Sequence, residues 1–235
     1  MELDHFFILV EAGGADAAEA LRALGFHESS GNRHAGQGTA NRRFVFSNSK
    51  LELLWVEDNT EALQGPGREL YLHERTTNDS ASPFGFIFRP KKNAEAGQPF
   101  CGWRYQPDFF KAPMAFWVGS NSSILTEPCC IYAPFFKPRT FAPDGGHNQS
   151  NEYRESKAQK PLQPSHFDWV SDICVTVPMI GLEAGEYSDV LRTVSLVEGL
   201  SIKMGADHLI ALTFNHHKCG QAHDFRPLLP LVIYW

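Results

Sequence analysis

The first strand and the helix and strands after it constrain the fold more than any other stretch. Leu3-Asp4-His5-Phe6-Phe7-Ile8-Leu9-Val10 alternates with His5, Phe7 and Leu9 on one face and Phe6, Ile8 and Val10 on the other. A strand apolar on both faces is covered on both. Ala17, Leu21 and Leu24 then recur at helical spacing over residues 14–24, and Gly25 stands where a C-cap glycine belongs. Strands over 43–47 and 51–57 flank a turn at Asn48-Ser49-Lys50. The unit reads β-α-β-β, with His5 on its first strand and Glu52 on its last. Two polar side chains on apolar strands of one sheet can face a shared cavity, and a His with a Glu is half of a metal-ligand set.

Related units occupy the rest of the chain. Four strands are expected within 84–89, 99–105, 114–118 and 124–132, with little helix between the first two. Residues 137–165 are rich in Pro, Gly, Asn and Gln and read as a connector. Val170–Pro178 alternates as a strand, Ser188 is placed to N-cap a helix, and strands are expected at 200–204, 209–214 and 228–234. Pro227 and Pro230 put the last of these at a sheet edge or interrupt it. The expected organisation is a first βαβββ module at 1–60, a degenerate second at 82–134, a connector at 135–168 and a third at 169–235, all in one compact domain. That is an α+β fold in which repeated βαβββ modules form curved mixed sheets around a concave cleft, helices outside.

Composition narrows the partners. The net charge is −6 and no basic run exceeds two residues, which disfavours a nucleic-acid surface. No window approaches the ~20 apolar residues of a membrane span, and Glu2 and Asp4 break any leader-like start. A cytoplasmic protein is the expectation. The five cysteines are odd in number and without a Cys-x-x-Cys pair, so they read as free thiols, mostly buried.

The opening Leu3-Asp4-His5, with Leu51-Glu52-Leu53 on the last strand of the unit, resembles the vicinal oxygen chelate superfamily of glyoxalase I, extradiol dioxygenases and bleomycin-resistance proteins. His34, Gly38-Thr39-Ala40-Asn41 and Leu51-Glu52-Leu53-Leu54 resemble its glyoxalase-like domain group. So do Pro83-Phe84-Gly85, Trp103-Arg104-Tyr105 and Asp224-Phe225-Arg226-Pro227-Leu228-Leu229-Pro230-Leu231. In the metal-using relatives each module supplies a His on its first strand and a Glu on its last. The resemblance implies His5 and Glu52 as ligands of a divalent ion (Zn, Ni, Mn or Fe), with Glu127 as the second module's carboxylate. It implies a metal-dependent lyase, isomerase or dioxygenase in which Glu52 or Glu127 moves the proton. The alternative is a sequestering protein that binds a small ligand without metal chemistry. The second module offers no matching His on 84–89, and in the third block Asp172 is the nearest ligand-like residue.

Other residues carry open readings. Glu52 needs a partner if buried, and Arg42, Arg43 or Arg104 could supply one. His34, Thr39 and Asn41 could bind a substrate oxygen or simply satisfy local backbone. Arg226 could clamp a carboxylate or pair with Asp224. Trp103 belongs to an aromatic concentration with Tyr105, Phe109, Phe110, Phe116 and Trp117, part core and part candidate pocket wall. His208, His216, His217, Cys219 and His223 make either a weak zinc signal or a solvated loop. The third block could also serve as a homodimer interface.

Overall fold

The structure is a computed structural model that describes residues 1–93, 97–139, 164–178 and 187–235. Most of the expected connector, 140–163, lies outside the described residues. The first module runs β1 (Glu2–Leu9), α1 (Ala15–Ala23), short β2 (Glu28–Ser29) and β3 (Arg33–His34), then β4 (Thr39–Val45) and β5 (Lys50–Val56). Short helices α2 (Asn59–Gln64) and α3 (Leu72–Thr77) lead to β6 (Phe84–Arg89), β7 (Gly102–Tyr105), β8 (Phe116–Gly119) and β9 (Cys129–Tyr132). The last block holds β10 (Val170–Pro178), α4 (Asp189–Val194), β11 (Leu200–Gly205), β12 (Leu209–Phe214), β13 (Ala222–Asp224) and β14 (Leu231–Tyr234).

These form two open mixed sheets. The larger runs β2-β4-β5-β1-β6-β9-β8-β7, with β3 also on β4, and the smaller runs β11-β10-β12-β14-β13. In the larger, β1 is central, parallel to β5 and antiparallel to β6. One face of it packs Phe6, Ile8, Phe84 and Phe86 into a core shared with α1, α4 and the inner face of the smaller sheet (Ile173, Val175, Leu212, Ile233). The opposite face carries Phe7, Leu9, Leu54, Ile87 and Ile131. That two-sided burial is why β1 shows no polar alternation.

Local signals act as the residue types dictate. After α1, Gly25 takes φ +105°. Its N–H bonds the Arg22 carbonyl and that of Phe26 bonds Leu21, closing the helix end. The Ser188 hydroxyl accepts from the Leu191 N–H and caps α4. Asn48, in the β4–β5 turn, exchanges two hydrogen bonds with the Val170 backbone (2.7 and 2.9 Å) and so ties the two sheets together. The last strand is interrupted as expected, starting only at Leu231 after Pro230. It lies inside the sheet, because the unanticipated β13 pairs on its outer side. No helix is long and apolar enough to cross a membrane among the described residues.

The pairing registers show how the modules correspond. Phe6 faces Phe86 across the antiparallel β1–β6 pair, Phe6 lies beside Leu51, and Phe86 lies beside Cys130. A two-fold relation through Phe6 and Phe86 therefore exchanges β1 with β6 and β5 with β9. It carries His5 onto Gly85 and Glu52 onto Ile131. The smaller sheet repeats the scheme, with β10 parallel to β11, antiparallel to β12, and β12 parallel to β14. Even the irregularity recurs: the register slips between Leu3 and His5, and again between Val170 and Asp172. Asp172 thus occupies the place of His5, and Ser201 that of Glu52, but both are exposed.

Candidate functional site

The concave face of the larger sheet gathers the polar residues of the first module. His5 on β1, Glu52 and Lys50 on β5, and Thr39 and Asn41 on β4 share that face because they sit at matching parities of the pairing registers. His5 Nε2 lies 3.7 Å from Glu52 Oε1. The Lys50 ammonium lies 3.1 Å from the same oxygen. The Asn41 amide donates to Glu52 Oε2 at 2.9 Å, and its own oxygen accepts from the Asn32 N–H at 2.7 Å. Burial by itself raises the Glu52 carboxyl. Lys50, His5 and His34, together with the Asn41 amide, outweigh that and hold it well below the usual carboxylate range. Lys50 is one cation beside Glu52. Arg43 stands across from Glu52 on β4 and donates to the Ser30 carbonyl and hydroxyl, Arg42 pairs with Glu28 at 2.7 Å, and Arg104 bonds the Gln106 amide.

Asp4 is the residue that sequence reasoning missed. Adjacent strand residues face opposite sides, which puts Asp4 away from His5. The register slip at this point re-aims it. Its carboxylate lies 2.5 Å from His5 Nδ1 and also pairs with the buried Arg89. Arg139 adds a bond to the Asp4 carbonyl at 2.8 Å. A proton on Nδ1 directed at Asp4 leaves Nε2 turned toward Glu52.

His34 joins the group from β3. Its Nδ1 lies 2.9 Å from the Thr39 hydroxyl, which also accepts from the Gln37 amide at 2.8 Å. Burial lowers the His34 imidazole, with Glu52 opposing. The Tyr105 hydroxyl donates to Gln37 at 3.1 Å, so β7 at the far edge curls over to meet the first module. Burial, reinforced by Asp108, pushes the Tyr105 phenol up and keeps it a donor. Trp103 shares the Tyr105 side of β7, its N–H directed at Ser122 at 3.4 Å.

Two expected residues stand elsewhere. Glu127, expected on a strand beside His5, is kept by Pro128 in the turn before β9. Fully buried, it accepts from the Ser188 N–H (2.7 Å), the Ser188 hydroxyl (2.5 Å) and the Asn121 amide (2.9 Å). It anchors α4 and does not join His5 and Glu52. Arg226 lies on the smaller sheet between β13 and β14, half-exposed, its guanidinium chelating Asp224. The late histidines also part ways: His208 reaches the Ser80 carbonyl at 3.2 Å, His217 packs on Tyr234 and His223 on Phe225.

The donor set can be tested against a divalent ion. An open catalytic site takes about three protein ligands plus water. His5 and Glu52 supply two, and Lys50 and Asn41 already engage both Glu52 oxygens. The positions that should complete the set hold Gly85 and Ile131, neither with a ligand atom. A Cβ on Gly85 would come within 2.1 Å of the Phe7 ring, so that ring occupies the space a second His would need. Among the described residues no three His, Cys, Asp or Glu are grouped to hold a metal. The described residues do not fit a resident divalent metal.

Comparison with known proteins agrees with the fold. The chain is similar over 99% of its length, and over 97% of the other chain, to the crystal structure of a hypothetical protein from Staphylococcus aureus, with TM-score 0.54 and 12% identity. A hypothetical protein from Bacillus halodurans matches 59% of this chain and 97% of its own at TM-score 0.37 and 12% identity. No curated protein matches the chain. At such identity the first likeness concerns fold alone. Residues 3–102 match the family described as a glyoxalase-like domain.

Proposed function

We propose that this protein binds a small molecule on the concave face of its larger sheet, as a sequestering protein without a resident metal. The observation that carries the reading is the asymmetry of the sheet. One half presents His5 and Glu52, and the other presents Gly85 and Ile131 with the Phe7 ring packed over the gap. The polar floor is preorganised. Asp4 orients His5, while Lys50 and Asn41 hold Glu52 ionised and in place. Preorganised polar groups beside apolar side chains are the general makeup of small-ligand sites.

A second reading, an enzyme with His5 as proton acceptor, is favoured by the Asp4 contact at Nδ1, which turns Nε2 inward as a general base requires. It predicts turnover of a bound compound that His5→Ala abolishes while binding persists.

Thermal unfolding with a library of small molecules, in the presence of EDTA, tests the first reading. A compound that raises Tm in EDTA for the wild type and not for Glu52→Gln supports it. If every stabilising compound needs added metal, the reading fails.

A further inference from the structure

The smaller sheet ends on an uncovered strand. β11 is its edge, with β10 on one side and, among the described residues, no strand on the other. The other sheet ends are short or folded back. β2 has two residues and β13 three. Four-residue β7 is tied to the first module through Tyr105 and Gln37. β11 has six residues, with no proline and no register shift against β10. An edge of that kind recruits another strand unless it is blocked, because one row of its N–H and C=O groups is left for a partner.

The outward groups follow from the pairing. The Ile173 N–H bonds the Gly199 carbonyl at 2.8 Å, and bonding residues alternate along a parallel ladder. Ser201, Lys203 and Gly205 therefore turn their backbone groups to β10, while Leu200, Ile202 and Met204 turn theirs outward. The side chains of Leu200, Ile202 and Met204 lie on the core face, beside Ile173, Val175 and Val177. Leu200 is buried, Ile202 half-buried and Met204 44% exposed. Leu196, in the turn before β11, is 85% exposed. The core thins out toward this edge, and exposed apolar side chains beside an open strand are the makings of a strand-addition site.

The repeat within the chain says which kind of strand belongs there. β11 lies parallel to β10 as β5 lies parallel to β1. β5 carries antiparallel β4 on its outer side, and among the described residues no strand takes that place beside β11. At the far end the counterpart is present, since β14 carries antiparallel β13 as β9 carries β8.

The sequence of β11 complements itself. Outward from Ile202 in either direction come a polar residue (Ser201, Lys203), an apolar one (Leu200, Met204) and a glycine (Gly199, Gly205). A two-fold axis at Ile202 sets Leu200 against the partner's Met204 and Ser201 against the partner's Lys203. Apolar side chains then meet on the core face and no like charges stand opposed. An axis at Lys203 would oppose two lysines.

We propose that two copies of this chain associate by antiparallel pairing of β11 with β11 about Ile202, joining their smaller sheets into one. The Ile202 N–H donates to the partner's Ile202 carbonyl and the Met204 N–H to the partner's Leu200 carbonyl, and symmetry repeats both bonds.

Sedimentation equilibrium over a range of concentrations reads the assembly, and the wild type approaches twice its 26.3 kDa. Met204→Pro removes an outward N–H and leaves the β10 ladder intact, so it is monomeric. Leu228→Ser, an exposed position between β13 and β14 on the other side of the sheet, stays dimeric. Circular dichroism shows that each variant is folded. The register is read by cross-linking. Ser201 and the partner's Lys203 form a non-hydrogen-bonded pair with Cα atoms about 4.5 Å apart, within disulfide range. In a Cys101→Ser, Cys174→Ser, Cys219→Ser background, Ser201→Cys with Lys203→Cys links two chains on mild oxidation, and neither substitution alone does. If Met204→Pro fails to fold, the cross-linking pattern decides. A monomeric wild type, a dimer that survives Met204→Pro, no linkage in the double variant, or linkage by either single substitution overturns the proposal.

Discussion

The Phe7 ring lies over Gly85, in the space that a side chain at position 85 would need. The two residues pair directly across β1 and β6, so they share the concave face. Position 85 is also the counterpart of His5. One contact thus fills the core and removes the second half of a metal-ligand set. Gly85→Ala is expected to cost about 1–3 kcal/mol by overpacking against Phe7. Phe7→Leu should recover part of that loss in the double variant, a coupling that urea denaturation of the four proteins measures. Simple additivity would contradict the contact.

Glu127 is predicted to be structural. Glu127→Gln leaves the Ser188 N–H and hydroxyl with a weaker acceptor at the cap of α4, for a loss of about 1–3 kcal/mol. Chemical denaturation should show that loss, while affinity at the concave face stays as in the wild type. A change in affinity with unchanged stability would return Glu127 to the site.

Arg75 is predicted to be among the least replaceable residues. It is buried and donates to the carbonyls of Ser82, Leu125, Glu127 and Ser122. Arg75→Met strands those carbonyls, at about 1–3 kcal/mol for each that finds no water. Arg75→Lys keeps the charge but cannot span the fork, so it should recover only a part.

Stability should fall as the solution is acidified from neutrality. Burial lowers the His208 imidazole, with the Ser80 carbonyl and Asp207 opposing and Arg75 reinforcing the shift. Its folded pKa then lies below its unfolded one, near 6.5. The unfolded chain takes up the proton first, so the stabilisation is complete above that pH and is lost as pH falls toward the folded value. His34 acts with the same sign. His208→Gln should flatten the dependence of unfolding free energy on pH between about pH 7 and 5. An unchanged slope would contradict a partly buried neutral imidazole.

The first module is legible in the sequence because its signals are local. An apolar strand, helical spacing, a C-cap glycine and a short turn each depend on neighbours in sequence. His5, Glu52, Asn41, Thr39 and His34 stand out on that basis, and the structure brings them together. Lys50 reads only as part of a turn, although its spacing of two from Glu52 already puts both on one strand face. Asp4 is hidden by a register slip that no residue pattern announces. Glu127 misleads because the apolar residues after it suggest a longer strand, while Pro128 ends pairing before it reaches the glutamate. The correspondence of His5 with Gly85 comes from long-range register, which a single chain does not display. Phe135 meets the rings of Phe110, Phe116 and Phe136 for the same reason.

Equilibrium dialysis of the purified protein against Zn, Ni, Mn and Fe(II), with His5→Ala in parallel, tests the central claim most directly. The account predicts no stoichiometric binding of any of these ions that depends on His5. One ion held per chain by the wild type and lost in His5→Ala would contradict it.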